Sequence, residues 1–245
     1  MFGLIGTWKR NRLAKQPFPQ AWEAILDECV PFLSRIPEAE QEDFRTHLKV
    51  FAWEKKWFGA HGLEVTDHMK VVVAAGAARM SRNLSLHTWS QLGSIIIYPD
   101  TFAPPGDERG TLGQATRLGS VILSWDSVKH GIQVPNDGHD VTLHEFAHVL
   151  DLNGDNVFDG VPDLRGDIAY GQWAYVLGRY YDRLVAGKTR ANVLRDYGGT
   201  NPAEFFAVAT EAFFEKPILL RRTKPDLYHI LKKFYRVDPA KKIAR

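Results

Sequence analysis

Cysteine is almost missing from this 245-residue chain: Cys29 stands alone, so no intramolecular disulfide can form and a cysteine-rich zinc module is excluded. A reducing compartment fits that usage, and the expected location is the cytoplasm. Long apolar runs are missing too; none approaches the roughly 20 residues that span a bilayer. The start, Met1 to Trp8, is short, has no basic stretch before it and runs into Lys9, Arg10 and Arg12, the wrong order for a secretory signal. Apolar then basic, it leaves open a weak membrane-surface role beside a plain helix start or a frayed terminus. An excess of one charge is also lacking. The 31 basic and 29 acidic residues give a net charge of +2, with only short runs such as Arg221-Arg222 and Lys241-Lys242, so direct nucleic-acid binding is not indicated. What remains, 44% hydrophobic and 24% charged, suits an ordinary globular protein able to bury a core. We expect one domain over residues 1–245, with 1–37 as a helical N-terminal appendage.

Apolar residues at helical spacing predict helices over Pro19 to Val30 and Glu38 to Trp57, separated by a break from Pro31 to Pro37. After Gly59 to Gly62, Thr66-Asp67 starts a further helix. Met69 to Met80 reads as a buried helix, although Lys70 to Val73 also suits a strand. Two β-rich runs follow, Ser94 to Tyr98 and Val121 to Trp125, with a Pro- and Gly-rich loop, Thr101 to Gly113, between them. Asp137 to Asp140 supplies turn and capping chemistry for a helix from Val141 to Leu152, which Asn153-Gly154 stops. Helices over Tyr170 to Val185 and from Asn201-Pro202 to about Glu215, closed by Pro217, complete the pattern. The expected class is α+β, mostly helical with a small sheet.

Chemistry concentrates in His144-Glu145-Phe146-Ala147-His148. Residues four apart on a helix stand one turn above each other, which brings both imidazoles to one face, about 6 Å apart at Cβ, where they can share one zinc. Glu145 lies about 100° around the helix, beside the metal rather than on it. That is the place for a general base acting on water whose pKa the metal has lowered. With nine histidines in the chain and a similar share of glutamates, chance gives on the order of 0.02 occurrences of this motif. Two surface histidines on an amphipathic helix are therefore a poor explanation, and the uncharged Leu143, Phe146, Ala147, Val149 and Leu150 suit a buried ligand-bearing helix instead.

A catalytic zinc normally takes three protein ligands and leaves one position for water. In the pattern with a third histidine, Gly would stand at 151 and His at 154; here they are Asp151 and Gly154, so that class fails. A glutamate from a downstream helix is the other solution, giving a gluzincin-like site, and Glu204 is the candidate. A rival role stays open, because Asn201 to Glu204 also forms a capping box with Pro202 at the first helical position. Glu211, two turns on along the same face, and Asp151, one turn beyond His148, are candidates for carboxylates that hold a ligand imidazole from behind. For Asp151 an ordinary helix-end carboxylate is the alternative. Glu215 continues the same face and is expected to be solvated.

Together these segments resemble the Mlc titration factor A family of zinc peptidases, related to the catalytic domain of anthrax lethal factor. The resemblance runs through Gly62 to Asp67, Ile97-Tyr98-Pro99, Val121 to Asp126, His144 to Asp151 and Asn201 to Val208. It implies a zincin-like metallopeptidase domain with the His-Glu-x-x-His segment as the active-site helix. By the same resemblance His144, His148 and Glu204 are metal ligands for one Zn2+ per chain, Glu145 is catalytic, and Tyr197 is an active-site tyrosine, for which spacing offers no argument. A phenol near the zinc can donate a hydrogen bond to the oxyanion formed when water adds to the carbonyl. The family also implies aminopeptidase activity on small peptides and binding of the glucose-responsive transcriptional repressor Mlc. Residues 1 to about 37 depart most from the family pattern.

Peptide-bond hydrolysis is thus the expected reaction. An extended substrate would lie against a sheet edge, for which Val121 to Trp125 is a candidate, with a buried core strand as the alternative; Thr101 to Gly113 would cover the cleft or be a plain surface loop. The competing expectation is a non-catalytic regulatory protein that sequesters a transcription factor and carries a structural or vestigial zinc site. Glu145 separates the two, because a structural site has no use for a carboxylate between its ligands.

Overall fold

A computed structural model describes residues 2–101, 112–188 and 193–241, the side chains of 2–5 excepted. The chain divides into two compact units, Met1–Gln133 and Val134–Arg245, and is mostly helical with one small sheet, an α+β composition. Among the described residues no helix is long and apolar enough to cross a membrane.

In the first unit, α1 (Phe2–Ala14), α2 (Gln20–Cys29), α3 (Glu38–Glu54) and α4 (Asp67–Ser81) precede most of the sheet. Thr66 caps α4, its hydroxyl accepting the Met69 N–H at 3.3 Å, and the Ala- and Val-rich run is buried on nearly every side, as suits a helix without a polar face. Lys70 to Val73 is therefore helical. Helix α3 ends earlier than expected because β1 (Lys56–Gly59) begins at once: Trp57 pairs with Ile95 and its indole donates back to the Ala52 carbonyl at 2.9 Å.

The sheet adds β2 (Ser94–Tyr98), β3 (Gly113–Thr116) and β4 (Ser120–Ser124) in the order β1-β2-β4-β3, parallel except for the β3–β4 pair. Gly119 turns the β3–β4 hairpin at φ +75, and a side chain there would stand 2.6 Å from the Gln91 carbonyl, so both backbone conformation and space require glycine. Strand β4 is paired on both sides, with Val121 and Leu123 fully buried. It has no free edge. The expectation that Val121 to Trp125 is an edge for substrate is thereby overturned, and Trp125 opens α5 (Trp125–Gln133) instead. Residues 102–111 of the expected covering loop lie outside the described residues.

The second unit consists of α6 (Val141–Asp155), α7 (Tyr170–Val185), α8 (Pro202–Glu215), α9 (Pro217–Thr223) and α10 (Pro225–Tyr235). Helix α8 is its axis, buried on almost every side from Ala203 to Glu215. Phe206 meets Trp173 of α7 edge to face at 5.6 Å, Phe213 stacks on Tyr235 of α10 at 5.6 Å, and Thr210 shares a 2.7 Å hydrogen bond with the Tyr235 hydroxyl. Aromatic pairs in such arrangements contribute about 0.5–1.5 kcal/mol each beyond the area they bury. Pro217 does end α8, but it also begins α9, being tolerated in a first helical turn.

Helix α6 runs on to Asp155 rather than stopping at Asn153-Gly154, and Asn156, in the left-handed region at φ 63, closes it. The longer helix is accommodated because Gly154 lies against the Val161 carbonyl. Gly160 then locks the returning chain. Its N–H donates to the Asp151 carboxylate at 3.0 Å, its carbonyl accepts the Trp173 indole at 2.9 Å, and a Cβ there would stand 2.5 Å from the Pro202 carbonyl. The result is a fixed relation between α6, α7 and the start of α8.

Candidate metal centre

Asp140 starts the helix that carries the histidines, its carboxylate accepting the N–H groups of Thr142 and Leu143 at 3.0 and 3.1 Å. From that cap α6 projects His144 and His148 to the same side, ring centroids 4.9 Å apart, both nearly buried. Helix α8 delivers Glu204 from its first turn. Asn201 caps this helix by accepting the Glu204 N–H at 2.9 Å, which is half of a capping box. The carboxylate of Glu204 is engaged with the imidazoles: Oε2 lies 3.0 Å from Nε2 of His144 and 3.4 Å from Nε2 of His148. Capping and convergence on the histidines thus coexist, one using the backbone N–H and the other the side chain.

The three side chains form a group able to hold a metal ion, with one ligand atom from each and all three within 4.8 Å of one another. Ligands about 2.0–2.1 Å from a tetrahedral metal such as zinc stand about 3.3 Å apart; the two nitrogen–oxygen separations of 3.0 and 3.4 Å lie near that value, and all three ligand atoms lie within 4.8 Å of one another. Charge favours a cation as well. Burial lowers the pKa of His144, but hydrogen bonds to Glu204 and Glu211 outweigh it and raise it to about 10. Burial raises Glu204, and the two imidazoles reverse this and hold it well below the usual carboxylate range. Two nitrogens and one oxygen, with positive charge drawn between carboxylates, suit a divalent metal of the zinc type.

Glu211, fully buried, stands behind His144. Its Oε1 is 2.7 Å from Nδ1 of His144, and its Oε2 accepts the Asp140 N–H at 2.9 Å. It also pairs with the Arg195 guanidinium. Nδ1 of His144 is thereby committed to Glu211, and Nε2 faces Glu204. Asp151 does not do the same for His148. Its Oδ2 is taken by Gly160, while its Oδ1 and Nδ1 of His148 are both buried without a partner among the described residues; burial raises its pKa to about 7. The expected imidazole contact is replaced by a backbone tether, because the return of the chain at Gly160 reaches that carboxylate first. Glu215 is likewise not solvated; it is buried and accepts the Asn136 N–H at 2.8 Å, so α8 holds the segment leading into α6 at two points.

Glu145 is buried on α6, near enough for its charge to raise the pKa of both His144 and Tyr197. Tyr197 sits in a 3-10 turn, Asp196–Gly199, with half its surface exposed and its ring 5.9 Å from that of His144. Burial of the hydroxyl and its hydrogen bond to the Glu204 carboxylate push its pKa up to about 12. A proton donor therefore stands at the site at neutral pH. Two residues that sequence reasoning missed complete the surroundings: Phe158, edge-on to His148 at 5.6 Å, and Arg195. Both come from loops, where neither periodicity nor motif singles out a residue.

The family model described as glucose-regulated metallo-peptidase M90 matches residues 5–236. An uncharacterized protein of Synechocystis sp. is 33% identical over 246 residues, covering 95% of this chain and 89% of its own length. Proteins named Mlc titration factor A from Yersinia pestis and Yersinia pseudotuberculosis are each 27% identical over 255 residues, covering 97% of this chain and 92% of theirs.

Proposed function

Since the chain belongs to the glucose-regulated metallo-peptidase M90 family, we propose that it is a zinc-dependent peptidase with a zincin-like fold and aminopeptidase activity on small peptides. The observation that carries this reading is the convergence of His144, His148 and Glu204 within 4.8 Å, with Glu145 buried beside them. The family match runs through both compact units, which supports one peptidase domain over the chain; the single cysteine, Cys29, suits a cytoplasmic setting.

His144, His148 and Glu204 would hold one zinc per chain. When bound, the metal supplies Lewis acidity, which acidifies water and polarises a peptide carbonyl at neutral pH. Glu145 takes a proton from the attacking water as oxygen adds to the carbonyl carbon. It returns that proton to the amine nitrogen as the C–N bond breaks, leaving a carboxylate and a free amine. Tyr197 keeps its proton at neutral pH and donates a hydrogen bond to the carbonyl oxygen as charge develops there. Glu211 holds Nδ1 of His144, which fixes the tautomer that leaves Nε2 free to bind metal.

The decisive experiment is Glu145→Gln. The variant keeps the shape of the site, and we expect it to retain zinc while cleavage of a peptide library falls by about 10²–10⁴-fold. Cleavage at the parent rate by a zinc-loaded variant would remove Glu145 from the mechanism. A second reading is favoured by the name of the Yersinia relatives: the chain binds an Mlc-like transcriptional repressor, so regulating glucose uptake, alone or in addition to cleaving peptides. Capture of that repressor from host lysate by parent and Glu145→Gln protein alike supports it; capture by neither sinks it.

A further inference from the structure

Arg195 makes three contacts, each to a different part of the candidate centre. Its Nε donates to the Gly138 carbonyl at 3.2 Å, in the segment leading to the Asp140 cap. Its Nη2 pairs with Oε1 of Glu211, the same oxygen that holds Nδ1 of His144. Its guanidinium carbon lies 5.9 Å from the centroid of the Tyr197 ring, two residues along the chain.

Glu211 is 1% exposed and Arg195 24%. Burying a carboxylate is costly unless it is paired and hydrogen-bonded, and the Arg195 guanidinium supplies that pairing to Glu211. Oε1 of Glu211 meets both Nδ1 of His144 and Nη2 of Arg195, so a Glu211 carboxylate no longer held by Arg195 would leave that ring free to turn. The guanidinium also lies over the half-exposed Tyr197 ring, within reach of a cation–π contact.

We propose that Arg195 is a positioning residue that couples the two halves of the site, fixing the His144 imidazole through Glu211 and the Tyr197 phenol by direct contact. The proposal rests on the reading of His144, His148 and Glu204 as metal ligands. It predicts that metal affinity depends on a side chain that is not itself a ligand. Because the route runs through one carboxylate, the effects of altering Arg195 and Glu211 will not add.

The test uses the full chain loaded with cobalt(II), which reports ligand geometry in its visible spectrum. Dissociation constants come from chelator competition and folding from circular dichroism. Arg195→Met keeps the unbranched apolar stem and loses the guanidinium; we expect cobalt to bind about 10–100-fold more weakly, with an altered visible band. Arg195→Lys keeps the charge without the fork, and should recover part of the affinity. In a Glu211→Gln background, Arg195→Met should weaken binding by less than about threefold further, since the anion it serves is already gone. Parent affinity and spectrum in Arg195→Met, or full additivity with Glu211→Gln, would overturn the proposal. If Arg195→Met fails to fold, Arg195→Lys decides in the same way: parent affinity and spectrum overturn the proposal, and a weakened, spectrally altered site supports it. A parent that binds no cobalt would refute the metal-site reading itself, a separate outcome.

Discussion

Removing the Glu204 side chain separates helix capping from the proposed ligand role, because the two use different atoms. The cap on α8 uses the Glu204 N–H and the Asn201 side chain, and Glu204→Ala leaves both in place. Loss of the acidic group from the first helical turn costs about 0.3–1 kcal/mol. The carboxylate is another matter, with its Oε2 3.0 and 3.4 Å from the two Nε2 atoms. Four-ligand zinc sites in small peptides bind with about 10–16 kcal/mol, or roughly 2.5–4 per ligand, so one lost ligand should weaken binding on the order of 10²–10³-fold. With free zinc set at 100 times the parent dissociation constant, the parent gains about 2.7 kcal/mol of stability. For a chain of this size that is about 5–10 °C in Tm. The variant, at or below half-saturation, should gain about 2 °C or less. Thermal melts with and without zinc, beside zinc content after dialysis against a chelator, read both quantities. Stoichiometric, chelator-resistant zinc in Glu204→Ala would refute the ligand assignment. Glu211 could not easily take over, since Asp140, His144 and Arg195 already occupy both its oxygens.

Much of this organisation is legible in the sequence wherever one local rule acts without a competitor. Helix α7 follows its apolar periodicity from Tyr170 to Val185, and β2 its isoleucine run from Ser94 to Tyr98. The segments that escape are those whose structure is set by distant partners. β1 exists because Ser94 to Ile97 lies beside it, and β3 because it pairs antiparallel with β4. Glu215 reads as a surface residue by its charge, yet a backbone N–H from Asn136 makes its burial tolerable. The site divides along the same line. His144, Glu145 and His148 share one helix, so spacing alone brings them together. Glu204 has a motif with two meanings, and the structure holds both, the backbone N–H serving the Asn201 cap and the carboxylate turned to the histidines. Tyr197 and Arg195 reach the site through a turn, where no period operates, and the resemblance supplied the first but not the second.

Three further predictions follow from the geometry. Tyr197→Phe should retain zinc and lower kcat more than it raises KM in peptide hydrolysis, by about 10²-fold or more, if the phenol donates to a developing oxyanion; equal kcat would exclude that role. Gly160→Ala places a Cβ 2.5 Å from the Pro202 carbonyl at φ +80, and should destabilise the chain by more than about 1 kcal/mol, seen as a lower midpoint in urea. The third concerns pH. His47 is buried on α3, with Nδ1 3.0 Å from the Ser81 hydroxyl. That hydroxyl donates to the Ala77 carbonyl and accepts the Trp89 indole, so Nδ1 of His47 is the donor to it. Burial lowers the pKa of His47 to about 4 from an ordinary 6.5. Between these values the unfolded chain binds a proton that the folded chain does not, so the contribution is complete above about pH 6.5 and is lost as pH falls through about 4. At pH 4.5 the two values imply a loss on the order of 2–3 kcal/mol relative to pH 7. Other groups titrate in the same range, and His47→Gln isolates this one: its urea midpoint should fall less than that of the parent between pH 7 and 4.5. Parallel decline in parent and variant would mean that His47 is protonated in the folded chain as readily as in the unfolded one.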